Sequence, residues 1–482
     1  MKNSSKPSSK VKKTASGFFK YLIILALITG IVAGFLFITN KIVNFTTKTN
    51  DYLSVVDYLK GNDKPVKNLI LLSNNAEQRY GSGFIGSVGV IGADKSKFDI
   101  EPIHSVYFYD HNLENKPTIY PIPQELKAIT GYMALRDSAI FANWPDSARL
   151  AAKFFKEEAN VEVDNVISVT PQVLKEILKI TGPIYLEEYK KTVSSDNFLE
   201  SVQLEVEAGS DKKANRDPKT ILGNLGNKVI EKTLNQDLAK TSNFYDQLKR
   251  MIEEKQIVVY SFNQNIQKKI EKLNLSGELN EASGNYLLVT GTNVGGNKSS
   301  PFIEQKIDQK LTIDESGEAK VNLKITRTHT SDFKYPYFDP NDKQDKWLIG
   351  PNINYSKVFV PYGSELISAD ISKDNVVVSS ENNKTIYSFW LNTQPKQTKS
   401  VEIVYKLPFE YQIGEELVVK NIFDKQIGGF NDKITQKIIV PNSFRLKKVS
   451  TDKYFYTGDN EVEYDDILNT DKKIIFTYDR KN

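Results

Sequence analysis

Eight arginines stand among 64 basic residues, and three of them, Arg79, Arg136 and Arg149, fall in the first third of the chain. In a lysine-rich protein a retained arginine marks a need for a planar fork of donors, which grips a phosphate or a carboxylate at two points. Asn75 and Glu77 precede Arg79, Asp137 follows Arg136, and Asp146 lies one helical turn before Arg149. Two chemistries fit these residues: an anion site made by Arg79, Arg136, Arg149 and Asn75, or structural ion pairs with acids such as Asp137 and Asp146. The ion pairs are the simpler expectation.

Other constellations say less. Gly81-Ser82-Gly83-Phe84-Ile85-Gly86 spells G-x-G-x-x-G after a strand-like run, but a dinucleotide site needs a helix to open there. The continuation Ser87-Val88-Gly89-Val90-Ile91-Gly92 favours a strand, so the glycines read as a turn packed tightly on a sheet. No G-x-S-x-G elbow occurs, and His104 and His111 have no evident nucleophile beside them. With no cysteine and three histidines (His104, His111, His329), a closed zinc site is not expected, and no cofactor is implied. Between Ser331 and Pro351, Phe333, Tyr335, Tyr337, Phe338 and Trp347 cluster with prolines. Tyr335, Tyr337 and Trp347 are candidates for stacking on a carbohydrate or a partner protein; covering one end of a domain is the plainer role.

The elements that would carry these residues follow from patterning. Tyr21 to Thr39 is 19 uncharged residues, roughly 28 Å of helix at about 1.5 Å per residue and so close to a membrane's hydrocarbon thickness. It reads as a single transmembrane helix. Six lysines precede it while Lys41 and Lys48 follow closely, which keeps residues 1–20 cytoplasmic and the bulk outside. Those six account for more than the net charge of +4, leaving a slightly acidic remainder that argues against nucleic acid. Ala26, Gly30 and Gly34 recur every four residues and would let a second copy approach closely, as in a homodimer.

Residues 40–62 read as a stalk. Residues 63–290 read as an α/β (or α+β) domain, with strands at Lys67 to Ser73, Gly86 to Gly92, Ile103 to Tyr109 and Val163 to Val169. Its helices are expected at Ser147 to Ala159, capped by Asp146, and after Thr170-Pro171, with further ones between Asn197 and Glu254. Alternating strands then suggest a β-sandwich over residues 291–410. Residues 411–482, β-rich, either complete that sandwich or form a smaller unit.

Several stretches resemble a bacterial family catalogued as domain of unknown function 4012 (DUF4012). They are Leu71-Leu72-Ser73-Asn74-Asn75-Ala76-Glu77-Gln78-Arg79, Gly83-Phe84-Ile85-Gly86-Ser87, Arg136-Asp137-Ser138, Ala142-Asn143-Trp144-Pro145-Asp146, Val163 to Val169 and Thr181-Gly182-Pro183-Ile184. Asn285 to Val289 with Asn293 and Lys298, and Val360-Pro361-Tyr362-Gly363-Ser364, fit as well. The resemblance implies a single-pass protein of the bacterial envelope, outside the membrane, with no assigned activity. In layout the first domain is also similar to the LytR-CpsA-Psr enzymes, which transfer lipid-linked glycopolymers and use acids to hold a metal and arginines to grip a pyrophosphate. Arg79 matches one such arginine. Yet Ser82-Gly83-Phe84-Ile85 stands where an Arg-Ser-Asp-Thr-like stretch is expected, and no Arg-Asp pair occurs around Tyr107 to Asp110.

The leading expectation is therefore a non-catalytic binding or assembly protein at the cell surface, with a wall glycopolymer or an envelope protein as partner. A glycopolymer phosphotransferase, with Mg²⁺, is the first alternative, and an adhesin-like protein the second.

Overall fold

The computed structural model describes residues 47–114, 120–214, 219–235, 242–339 and 342–481. The basic tail, the Tyr21 to Thr39 span and its Ala26, Gly30, Gly34 face lie outside these residues. Among the described residues no helix is long and apolar enough to cross a membrane.

The chain begins with helix α1 (Thr47–Leu59) and a hairpin of two long strands, β1 (Val66–Arg79) and β2 (Ser82–Asp94). β3 (Lys97–Ile100) and β4 (His104–Ser105) pair with β2, while β5 (Asn165–Val169) lies parallel to β1 and β8 (Ile257–Ser261) antiparallel to β5. Among the described residues this makes a six-stranded mixed sheet. Helix α2 (Trp144–Ala159) covers one face through Ala148, Ala151, Phe154 and Phe155. On the other face, α1, α5 (Ser242–Glu253) and α6 (Gln264–Lys272) bury Val55, Leu248 and Ile266 against Ile70 and Ile91. Helix α3 (Pro171–Thr181) starts with its proline and stops at Gly182, as expected. A satellite of short strands, β6 (Ile184–Leu186) and β7 (Lys191–Val193), short helices at Leu204–Ala208 and Ser210–Lys213, and α4 (Thr220–Asn235) closes around Leu186, Val202 and Leu225.

Four expectations need correction. Residues 47–59 are no free stalk: Val55, Val56, Tyr58 and Leu59 form an apolar stripe that finds the open face of the sheet. The Ile103 to Tyr109 strand shrinks to His104–Ser105, because Tyr107–Asp110 turns helical and seats Tyr109 edge-on against Phe155, 5.1 Å away. Helix α2 begins earlier than Asp146, with Asn143 preceding it and Pro145 in its first turn, where a fixed φ is already helical. The border at residues 290/291 cuts through a strand of the sandwich, β9 (Asn285–Asn293).

The rest of the chain is β. β9, β14 (Asn354–Pro361), β16 (Val377–Glu381), β17 (Lys384–Trp390), β19 (Glu416–Asp424), β21 (Phe444–Val449) and β24 (Lys472–Arg480) form one sheet, in the order β16-β17-β14-β9-β19-β24-β21. β10 (Ile303–Ile313), β11 (Ala319–His329), β15 (Glu365–Ala369), β18 (Thr398–Lys406), β20 (Asp432–Ile439), β22 (Tyr454–Gly458) and β23 (Glu461–Leu468) form the second, in the order β15-β18-β11-β10-β20-β23-β22. One core, from Leu311 and Val358 to Ile438 and Phe476, fills the space between them. The segment 411–482 is thus no separate unit: β19 runs parallel to β9 and β20 parallel to β10, completing both sheets. At this seam Asn285, Gln309, Asn421 and Gln436, one from each of the four strands, are buried and hydrogen-bonded to one another at 2.6–2.8 Å. Any slip in register would leave those amides unpaired in an apolar core. The far face of the first sheet rests on the α/β domain, where Tyr286, Leu288 and Phe359 meet Tyr80 and Ala142. The segment expected as an aromatic loop is a hairpin, β12 (Lys334–Asp339) and β13 (Asp342–Ile349).

Candidate functional site

The candidate residues gather where β1 ends. Pairing between β1 and β2 jumps from Asn74 opposite Phe84 to Gln78 opposite Gly83, so Asn75, Ala76 and Glu77 bulge from the ladder. A bulge of this kind re-aims side chains at the rim of a sheet. It rests on the glycine motif: a Cβ on Gly83 would stand 2.4 Å from the Asn74 carbonyl carbon, and one on Gly81 2.6 Å from the Phe141 carbonyl oxygen. The G-x-G-x-x-G therefore forms a turn and a strand with no helix opening from it, the arrangement expected from its β-branched continuation.

Arg79 is buried. Its Nη2 lies 2.9 Å from Glu77 Oε1, its Nη1 donates to the carbonyls of Gln78 and Asn293, and Phe84 covers the guanidinium at 5.5 Å. Glu77 Oε2 in turn meets Lys298 Nζ at 2.6 Å, and Lys298 lies 3.7 Å from Glu207. Burial works to raise the Glu77 carboxyl, but Lys298 and Arg79 together hold it below its ordinary value. Two cations and two anions thus balance, and no net positive charge is left over for a ligand.

Arg136 stands next to this group but has partners of its own. It bonds Asp110 at 2.8 Å, approaches Asp137 at 3.4 Å, and lies against the rings of Tyr132 and Tyr107 at 4.7 and 6.0 Å. Burial pushes the Asp137 carboxyl up to about 6 even though Arg136 and Arg79 draw it down. Burial, reinforced by Asp110, pushes Glu158 up to about 8. Tyr107 and Phe84, 6.5 Å apart, join the Arg136 and Arg79 clusters on the surface. Arg149 shares no partner with either: it pairs with Asp146 and bonds the Tyr260 hydroxyl at 3.4 Å. Two of the three arginines are neighbours, then, and each has its own acid.

Asn75 shows what occupies the crevice beyond the parallel pair β1 and β5, where open α/β sheets ordinarily bind their ligands. Its Nδ2 donates to the Gly428 carbonyl at 2.9 Å, and Gln256 Nε2 donates to the Gly429 carbonyl at 2.9 Å. Gln426 Nε2 donates to the Arg79 and Gly291 carbonyls, and Gly428 N to the Lys255 carbonyl. Ile427 enters the core of the α/β domain and bridges to Gly81. The β19–β20 loop of the sandwich fills this crevice. Only glycine fits at its tip, since Gly428 has φ +63° and a Cβ there would stand 2.7 Å from the Ser82 carbonyl oxygen. Lys425, buried at its base, donates to the Gly429 carbonyl at 2.6 Å and is pushed down to about 8 by burial. Lys255 beside it pairs with Asp471 at 2.7 Å. Sequence reading missed this loop, although Gly428-Gly429 after a lysine between two strand-like runs was the available signal.

The aromatic hairpin braces rather than gapes. The Tyr335 hydroxyl donates to Glu200, the Tyr337 hydroxyl donates to the Gly296 carbonyl at 3.1 Å, and Lys212 lies 5.8 Å from the Tyr337 ring. The Glu200 and Lys212 contacts tie the hairpin to the helical satellite of the first domain, and the Gly296 contact ties it to the loop after β9. Trp347, Phe333 and Phe338 remain exposed, but Trp347 and Phe333 meet edge to face at 67°, so the two rings do not share one plane. Among the described residues no group of three or more His, Asp or Glu side chains is placed to hold a metal ion.

Residues 63–206 match the model of a family described as a protein of unknown function, DUF4012. No curated protein matches the chain. Among solved structures, a putative nutrient binding protein of Legionella pneumophila is 12% identical over 40% of this chain and 71% of its own, with a TM-score of 0.28. A structural-genomics target from Streptococcus agalactiae is 13% identical over 45% and 75%, with a TM-score of 0.25. An M1 zinc metallopeptidase of Deinococcus radiodurans is 11% identical over 38% of this chain and only 43% of its own, with a TM-score of 0.21. Likenesses this slight transfer neither activity nor ligand.

Proposed function

We infer, for a chain whose residues 63–206 are those of the DUF4012 family, a non-catalytic binding or assembly role on the outer side of a bacterial membrane. One observation carries this reading: the crevice at the end of β1 is filled by the chain's own Gln426–Gly429 loop, and Arg79 beside it is already balanced by Glu77. A phosphotransferase needs uncompensated cations, and commonly a metal, at the group it transfers. Here Arg79 and Arg136 have acids of their own and Arg149 stands apart with Asp146. The anchor at Tyr21 to Thr39 and the lysines before it support a single-pass protein with its bulk outside. An envelope protein or a wall glycopolymer is the partner this placement favours, and the small-residue face of the anchor is suited to a homodimer.

The test is a calorimetric and thermal-shift titration of the full-length protein in detergent with a short-chain polyprenyl pyrophosphate, with and without Mg²⁺, beside Arg79→Ala. No heat, no shift and no transfer are expected. A Mg²⁺-dependent stabilisation of about 2.7 kcal/mol at 100 times Kd, lost in Arg79→Ala, would overturn the reading and restore the transferase alternative.

A further inference from the structure

The second sheet of the sandwich turns one face to the core and the other to solvent, and its exposed face is unusually basic at the centre. Along β10, β11 and β20, Lys306, Lys310, Lys320, Lys324, Lys433 and Lys437 all point outward, alternating with buried residues. Register makes this more than a count. Lys306 stands directly opposite Lys433 and Lys310 opposite Lys437, and on the next pair of strands Lys320 stands opposite Lys406. Like charges facing one another across strands destabilise a sheet, yet the pattern occurs three times on one surface.

The acids nearby take one lysine of each facing pair and leave the other. Asp308 holds Lys306 at 2.8 Å, Glu461 holds Lys437 at 2.5 Å, and Glu318 holds Lys406. Lys324 stands between Asp308 and Glu402 in register, without a close contact to either. Among the described residues Lys310, Lys320, Lys324 and Lys433 form no ion pair within 4 Å. Glu461, Glu463 and Asp465 form an acidic row on the adjoining strand β23, where Glu463 stands opposite Lys437, and Glu304 lies at the start of β10. The basic band therefore has a border. Its three strands span about 10 Å, and lysines four residues apart on a strand repeat at about 13 Å. That is a strip wide enough for one extended chain, whereas an anionic membrane plane laid on this face would also press against the acidic row of β23.

We propose that this strip binds a linear polyanion, a polymer carrying phosphate or carboxylate groups, laid along the exposed face of β10, β11 and β20. The inference rests on the binding role above and names the chemistry of its partner. A polyanion bound there relieves the facing-lysine repulsion and releases its own counterions, so the affinity falls as salt rises.

The experiment titrates full-length protein in detergent into fluorescently labelled inorganic polyphosphate, read by anisotropy at 50 and 200 mM salt. The wild-type chain is expected to bind, and more weakly at the higher salt. Lys310→Glu/Lys324→Glu/Lys433→Glu is expected to bind at least tenfold more weakly. Lys95→Glu/Lys127→Glu/Lys268→Glu, which makes the same charge change on the α/β domain, is expected to stay within twofold of wild type. Melting curves for both variants confirm that the comparison is between folded proteins. Equal losses in the two variants, or no binding by the wild type, would overturn the proposal. So would binding to phosphatidylglycerol vesicles through the same three lysines without binding to polyphosphate, which would make the strip a membrane contact. Turnover of a lipid-linked pyrophosphate, the result that sinks the non-catalytic reading, is measured separately and is untouched by any of these outcomes.

Discussion

Where the α/β domain meets the sandwich, Arg79 and Lys298 lie buried on either side of Glu77, with Glu207 beside Lys298, and each cation meets a carboxylate. On the sandwich, Lys433 is exposed, faces Lys306 across the pairing of β10 with β20, and has no ion pair of its own among the described residues. The first arrangement holds a fold together; the second leaves charge for something outside the molecule. A cation's type is therefore a weaker guide than its balance. Arginine drew attention because its fork suits anions, but the same fork suits a buried carboxylate, and Glu77 takes it.

The largest effect comes from breaking the inner cluster. Glu77→Ala leaves Arg79 and Lys298 facing each other in the interior, and a loss of about 3–5 kcal/mol is expected in urea unfolding. A loss under about 1 kcal/mol would mean that water reaches the pair and that it is no firmer than a surface bridge. A smaller effect is expected from pH. Asp137 and Glu158 bind protons more tightly in the folded chain than in the unfolded one, at about 6 and about 8. Their contribution is full below the unfolded carboxyl range, and it is lost as pH rises through 6 and then 8. The melting temperature should therefore fall across that window, and Glu158→Gln should flatten its upper part. A wild-type profile that rises between pH 6 and 8 would contradict this assignment. The smallest effect belongs to Arg149, whose side chain is 48% exposed beside Asp146. Arg149→Ala should change stability by less than about 1 kcal/mol in the same urea assay, and a larger change would place Arg149 with the inner cluster.

Much of the architecture was legible because it depends on local pattern. The alternation in Ile303–Ile313 and Ala319–His329 marks strands with one wet face, and Thr170-Pro171 with Gly182-Pro183 brackets a helix. The failures share a cause. β9 is buried along its whole length between the sandwich core and the α/β domain, so its sequence shows no alternation from which a border could be drawn. Tyr107–Asp110 carries strand-like residues, but Tyr109 is claimed by Phe155. At the candidate site the right residues were visible and their partners were not. Arg136 beside Asp137 is local, whereas Lys298 meets Glu77 from a loop of the other domain, and Gly428 meets Asn75 across 353 positions of sequence. Spacing along the chain carries no information about such pairs.

That separation also sets an order in time. Gln426 and Gly428 reach back 347 and 353 residues to Arg79 and Asn75. At about 5–20 residues per second the ribosome needs roughly 20–70 s to make the intervening chain. During that interval the α/β domain exists without the loop that seals it, and Asn75, Gln256 and the apolar seat of Ile427 stand open to water. The step that completes the first-made domain is therefore among the last to occur, and it must close a very long loop. This is the period in which a chaperone or a wrong partner has access to the interior.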